Sequence, residues 1–406
     1  MLPSDYSVID PAELLRRAAA QVMDIHDTTL GDGDRYAIRF RGRLRMDSVE
    51  AYAIVSEKFR ALGYTALFRN DGGAHAVLAV KGVINPPPSR AWVNYLLFGV
   101  TFLSVLWTGG RYSHEGDLPA TLAGWAQLVF GGWPFVASML GILLAHELGH
   151  YFAARYHKVA VTLPYFIPLP FIPEIGLGSP FGTMGAFIQL KSPPTNRRVL
   201  LDIGIAGPLA GLVVALPVLI YGLMTSPVQP LVVPPGYAVS LEGNSVLYVL
   251  AKFAVFGRFL PAPASFGSLP PWLYMLSYYT LGFPVPIGGV DVILNQVAWA
   301  GWGGLLVTGL NLIPAGQLDG GHALYVLVGQ RARRLVPFIL VILVGLGIFW
   351  PGWFLWAALI YFLGRTYAEP LDQITELDPR RRVLAALALI LFLLVITPIP
   401  LRIIGA

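Results

Sequence analysis

The chain has 406 residues, 55% of them hydrophobic and 13% charged, with a mean hydropathy of +0.63. That composition excludes an ordinary soluble globular protein and indicates a multi-span membrane protein. The formal net charge of +5 does not point to nucleic acid, because the excess basic residues flank apolar segments. The absence of cysteine excludes disulfides and thiolate metal sites.

Charge is concentrated at the start. Residues 1–90 hold 12 Lys/Arg and 11 Asp/Glu, whereas residues 91–406 hold 16 and 12. A small soluble domain over 1–85, a Pro-rich linker over 86–91 and a membrane-embedded domain over 92–406 are therefore expected. Nothing at the start pairs a basic segment with an apolar run, so no cleavable signal is expected.

Within the first domain, Pro11 opens a helix over 11–24. Tyr36 to Leu44 alternates apolar and basic residues and reads as a half-exposed strand. Its arginines suit a solvated face better than a partner site. Ser48 to Leu62 reads as an amphipathic helix capped by Ser48. Tyr64–Arg69 and His75–Val80 flank Asn70-Asp71-Gly72-Gly73, a hairpin turn signal. The domain is thus α+β, and Pro86-Pro87-Pro88 makes a stiff connection after it. Carrying none of the candidate metal ligands named below, it reads as regulatory or substrate-selecting.

Apolar spans follow near 92–109, 134–156, 198–222, 291–313, 335–350, 352–366 and 383–402, about six or seven in all. Residues 119–131 extend the second span or lie at the interface, and 270–282 is a marginal further candidate. Basic residues divide twelve to four between alternate sides. The positive-inside rule then puts the first domain in the cytosol. The segment 223–290 becomes an external, Pro-rich loop with interfacial helices at 245–259 and 271–281.

The second span contains His146-Glu147-Leu148-Gly149-His150. On a helix the two histidines share one face and can hold one Zn²⁺. Glu147 is placed to work on water rather than on the metal. Ionisable groups at membrane depth are functional candidates by default. A third ligand is wanted, and Asp319 is the best candidate. Asp319-Gly320-Gly321 alone reads as a turn, but beside an intramembrane metal motif it reads as a ligand. Pro314 and Gly316 interrupt the helix before it, which is tolerated at that depth only where the backbone is buried in protein or lines a wet cavity.

These motifs, H-E-x-x-H followed by Asn311-x-x-Pro314-x-x-x-Leu318-Asp319-Gly320-Gly321, resemble the site-2 protease family of intramembrane zinc metalloproteases. Gly182–Lys191 and Asp202–Gly211 are also similar to it, especially to the branch with plant chloroplast and cyanobacterial members. The resemblance implies a polytopic α-helical membrane enzyme with one Zn²⁺ held by His146, His150 and Asp319. It implies Glu147 as catalytic acid/base and Asn311 as a group holding substrate or the developing oxyanion. It also implies transmembrane segments of other proteins as substrates and lipid as surroundings; the cell membrane of a prokaryote is expected, and the basic-residue bias puts the zinc toward the cytosol.

Val159 to Lys191 is rich in Pro and Gly and reads as an ordinary loop or as a re-entrant β-hairpin. The hairpin is favoured, because an open edge at Gly185–Leu190 would pair with an unwound substrate backbone. Gly185, Phe187 and Gln189 are the substrate-contacting candidates there. Gly207 and Gly211 form a small-xxx-small pair, read as helix packing rather than catalysis. A metal transporter would need polar sites in series, and a scaffold without activity would tolerate loss of Glu147 or a ligand. Neither pattern is present.

Overall fold

The N-terminal domain follows from an ordinary alternation of apolar residues. The computed structural model describes residues 10–31, 35–114, 116, 118–172, 177–233, 239–363 and 367–405. Helix α1 (Pro11–Ala20) is capped by Asp10, whose side chain accepts from the Ala12 N–H. It is followed by strands β1 (Met23–Leu30) and β2 (Ile38–Leu44), helix α2 (Ser48–Ala61) and strands β3 (Tyr64–Asp71) and β4 (Ala74–Lys81). The sheet is antiparallel in the order β1-β2-β4-β3. Phe40, Val55, Phe59, Phe68 and Val77 are fully buried between sheet and helices.

Two expectations need correction here. The first helix ends at Ala20, and the following residues start strand β1, which the sequence reading missed. The cap of α2 is Asp47, which accepts from the Val49 N–H, and Ser48 is the first helical residue. The basic side chains of β2 lie on its part-exposed face, as expected, where Arg39 and Arg41 both approach Asp71, at 3.4 and 3.5 Å.

The membrane domain begins with α3 (Ala91–Ser113), α4 (Leu122–Gly131) and α5 (Trp133–Tyr156). α4 runs into α5 with one break at Gly132, so 119–131 largely extends the second span. A hairpin of β5 (Tyr165–Pro168) and β6 (Thr183–Phe187) follows, then α6 (Arg197–Met224). Next come β7 (Val228–Pro230), β8 (Val239–Glu242), α7 (Val246–Phe256), α8 (Pro271–Leu281) and β9 (Val290–Val292). The chain then forms α9 (Gln296–Asn311), α10 (Asp319–Val328), α11 (Val336–Gly347), α12 (Gly352–Leu363), α13 (Pro379–Val395) and β10 (Leu401–Ile404).

Among the described residues three helices are long and apolar enough to cross a membrane: α3, α4 with α5, and α6. The other expected spans are shorter helices. The segment 291–313 starts as strand β9 and becomes helical only at Gln296; 383–402 is helical only to Val395 before its tail pairs with β8. α11 and α12 have 12 residues each, about 18 Å of rise, against roughly 30 Å of hydrocarbon. The end of the expected 352–366 span, at 364–366, lies outside the described residues. α6 sits at the centre, packed against α5 on one side and α9 on another.

Two features were not foreseen. The N-terminal domain is joined to the membrane domain by more than its linker, because Phe68 pairs in parallel with Asp372 and Asp372 pairs with Asn196. The segment read as an apolar loop contributes β7 and β8 to two short strand pairs, β7–β9 and β8–β10, and charged residues are buried nearby. Lys252 is fully buried, with Nζ 3.9 Å from Asp291 Oδ1 and 4.4 Å from the Tyr248 ring centre. The Tyr248 hydroxyl donates to Glu242 at 2.8 Å.

Burial, with Asp291 nearby, pushes the Glu242 carboxyl up to about 7. A raised carboxyl contributes stability that is present below its unfolded value of 4.5 and is lost as pH rises through about 7. The thermal midpoint in detergent should therefore fall between pH 5 and pH 8, and Glu242→Gln should flatten that fall. An unchanged slope in the variant would assign the pH dependence to other groups.

Candidate metal centre

α5 is apolar almost throughout, yet His146, Glu147 and His150 on it are all buried. One helical turn separates the two histidines, and their Nε2 atoms lie 3.2 Å apart. Asp319, the first residue of α10, closes the set. Its Oδ2 is 3.3 Å from His146 Nε2 and its Oδ1 is 3.3 Å from His150 Nε2. The ligating atoms of the three residues all lie within 4.8 Å of one another. The residue brought in from 169 positions beyond His150 thus meets the pair that the sequence put on one helix face.

The surroundings suit a metal. His150 Nδ1 lies 2.7 Å from the Ile203 carbonyl, which requires the proton on Nδ1 and leaves the Nε2 lone pair free to ligate. Space for the rings comes from α6. A Cβ at Gly207 would lie 2.0 Å from His150 Nε2, and one at Gly211 would lie 3.1 Å from His146 Nδ1. The two glycines therefore do more than let helices approach: they form the wall against which the histidines stand. Gly320 and Gly321 let α10 start tight against the preceding turn, where Cβ atoms would meet Leu312 O at 1.9 Å and Gly316 O at 2.4 Å.

The centre opens into a cavity of about 900 Å³. Asn311, the last residue of α9, points its amide at the same place, with Nδ2 3.3 Å from His146 Nε2. On another wall run Phe187, Ile188, Gln189 and Leu190. Among the described residues β6 is paired only with β5, which leaves its other edge open. Of the three residues expected on that edge, Phe187 and Gln189 line the cavity. Phe187 stacks on Tyr165 at 5.4 Å, and the Gln189 carbonyl accepts from the Thr162 N–H while the Gln189 N–H donates to Thr162 Oγ1. Gly185 lies outside the cavity wall, in β6 with φ +106°, and its N–H is taken by Thr183 Oγ1.

Sequence reasoning missed two further residues of the wall. The Ile188 N–H faces the Glu147 carboxylate, which no side-chain pattern announces. His322 lines the cavity and its ring packs on Gly204. Its place three residues after Asp319 on the same helix was the available signal.

Residues 134–349 match the model of peptidase family M50. The chain belongs to that family, in which the site-2 proteases are found. It is similar to the probable zinc metalloprotease EGY1, chloroplastic, of Arabidopsis thaliana, with 35% identity over 81% of this chain and 58% of that protein. Its rice counterpart, from Oryza sativa subsp. japonica, is 32% identical over 92% of this chain and 63% of that protein. The probable zinc metalloprotease EGY2, chloroplastic, of Arabidopsis thaliana is 29% identical over 80% and 52%. The chain thus spans about three fifths of the length of the first curated relatives it matches. No solved structure matches it.

Two imidazole nitrogens and one carboxylate are a donor set that zinc accepts with one position left open. Gly207→Ala would drive a methyl group into the His150 ring. Zinc affinity should drop about 10–100-fold, the scale seen when ligand orientation is disturbed. Metal analysis of the purified variant checks this, and full zinc retention at wild-type affinity would refute the cradle.

Proposed function

We propose that this protein is an intramembrane zinc metalloendopeptidase of site-2 protease type. It hydrolyses peptide bonds within or near transmembrane segments of membrane-anchored proteins, as in regulated intramembrane proteolysis. The observation that carries this reading is the convergence of His146, His150 and Asp319 beside Glu147 in a cavity walled by a free strand edge. Family membership and the printed names of the relatives support it.

His146, His150 and Asp319 would hold the zinc. When bound there, zinc supplies Lewis acidity, bringing the pKa of a water toward about 7 and polarising the scissile carbonyl. Glu147 takes a proton from the attacking water as the new C–O bond forms. It returns that proton to the amide nitrogen as the C–N bond breaks, which leaves a carboxylate and an amine. The Asn311 amide donates to the oxygen on which negative charge develops. Residues 187–190 hold the substrate as an extended strand, with Phe187 and Gln189 in contact with it. A substrate helix hides its peptide bonds in its own hydrogen bonds, so it must unwind, and an added strand edge satisfies the freed groups. In this reading the β5–β6 hairpin is re-entrant.

We place the N-terminal domain and the metal on one side of the bilayer, the side of the basic loops, cytosolic in a prokaryotic cell membrane. Support comes from the twelve-to-four division of basic residues and from the pairing of Phe68 with Asp372 and of Asp372 with Asn196. The N-terminal domain then acts as a regulatory or substrate-selecting module.

Glu147→Gln should keep about one zinc per chain and lose at least about 100-fold in cleavage, the low end for general acid–base catalysis. Asp319→Ala should lose both zinc and activity. Cleavage of a single-span substrate in micelles together with metal analysis checks both, and an active Glu147→Gln protein would end the reading. For topology, reporters fused after residue 90 or within 367–380 should label the same side, and one near 240 the other. The inverse or a mixed pattern would overturn the orientation.

A further inference from the structure

The edge of the N-terminal sheet does not end at β3. The Phe68 N–H donates to Leu371 O at 2.9 Å, and the Gln373 N–H donates to Phe68 O at 3.0 Å. Residues 371–373 therefore add a parallel strand to that edge. The other side of the same segment is also paired. The Leu371 N–H donates to Pro194 O at 3.0 Å and the Asp372 N–H to Thr195 O at 2.7 Å. Two parallel bridges that share Asp372 thus link the N-terminal domain through 371–373 to 194–196.

Asp372 sits in this seam with no exposed surface. Its carboxylate accepts from the Ser48 hydroxyl at 2.7 Å, from the Ile374 N–H at 2.8 Å, and from the Thr375 N–H and hydroxyl. Ser48 opens α2, so the charge also lies at the positive end of a helix. A buried carboxylate is tolerated only with such a full set of donors. Arg69 reinforces the seam by donating to Leu371 O at 2.8 Å.

What the seam holds is next to the cavity wall. Asn196 caps α6, the helix of Gly207 and Gly211. Pro193 and Pro194, immediately before it, line the cavity together with Ile188–Lys191. The linker touches the same stretch, since Lys191 Nζ donates to Pro87 O. The linker and the 371–373 seam therefore hold this segment at Lys191 and at 194–196, on the C-terminal side of the 187–190 edge.

We infer that Asp372 is a positioning residue, and that through it the N-terminal domain sets the place of the strand edge 187–190 opposite Glu147. The domain then acts on substrate affinity by registering this wall rather than by a loose tether. This rests on the protease reading for its kinetic consequence but not for its structural one.

The test uses the full-length, zinc-loaded protein and two readouts. The first is amide hydrogen exchange over 186–196. The second is the KM–kcat split on a single-span substrate, with KM expressed as a mole fraction in micelles. Ser48→Ala removes only the N-terminal donor, and Asp372→Leu removes the hub. Both should speed exchange at 188–191 and raise KM about tenfold, with kcat and zinc content little changed, because edge misplacement weakens docking rather than proton transfer. Ser48→Thr keeps the hydroxyl and should behave as wild type. Should Asp372→Leu fail to fold, Ser48→Ala decides alone. A folded Ser48→Ala protein with wild-type exchange overturns the inference, and so does altered exchange with unaltered KM. A zinc-loaded wild type that cuts no transmembrane substrate would instead sink the protease reading, and the exchange measurement would still decide the seam.

Discussion

The structure depends on how closely α5 and α6 approach. Two histidines on α5 must reach a carboxylate that arrives on α10, and the rings must lie flat against a neighbouring helix. That is possible because α6 presents Gly204, Gly207 and Gly211 toward the centre; a Cβ at each would fall within 3.1 Å of His322, His150 or His146. Gly149 on α5 reciprocates, facing Ala206 O at a distance that a methyl group could not share. Interiors are packed too densely for such a displacement to be absorbed elsewhere. Helix spacing, ring orientation and the meeting with Asp319 are thus one constraint.

From that constraint the division of labour follows. α5 supplies two donors and Glu147, α10 supplies Asp319, and α9 ends at Asn311 so that its amide lies beside His146. The hairpin β5–β6 and the stretch after it form the remaining wall. Each contribution comes from the end of an element or from a single helix face. A break of regular structure at the Pro314–Gly316 turn is therefore a requirement of the site rather than an imperfection, because a continuous helix could not bring both Asn311 and Asp319 to one point.

Much of this was legible in the residues. His146 and His150 are related by helical periodicity, and Asp319 stands out as a charge in an apolar, Gly-rich context. The hairpin was readable from Pro and Gly content, and α2, β3 and β4 from alternation and a turn signal. What escaped depends on pairing across long distances. β1, with the sequence Met-Asp-Ile-His-Asp-Thr-Thr-Leu, is an edge strand with mostly exposed residues, so it carries no alternation. The strand at 371–373 is too short to announce itself and exists only because two edges meet there. Gly207 read as packing, since a glycine does not say which atom it makes room for. Lys252 and Glu242 lay in the segment read as a loop and Asp291 at the start of an expected span, so only the fold gathered them.

The parallel seam also has a consequence for biosynthesis. Phe68 on β3 and its partner Asp372 are 304 residues apart in sequence. At roughly 5–20 residues per second, the partner of β3 emerges on the order of 15–61 s after the strand itself. For that interval the nascent chain carries an unpaired sheet edge, the feature most prone to capture by other strands. Arg69, which later reaches the Leu371 and Pro370 carbonyls, stands on that edge from the start. Its charge discourages foreign pairing until the native partner arrives, so one side chain guards the edge first and fastens it afterwards.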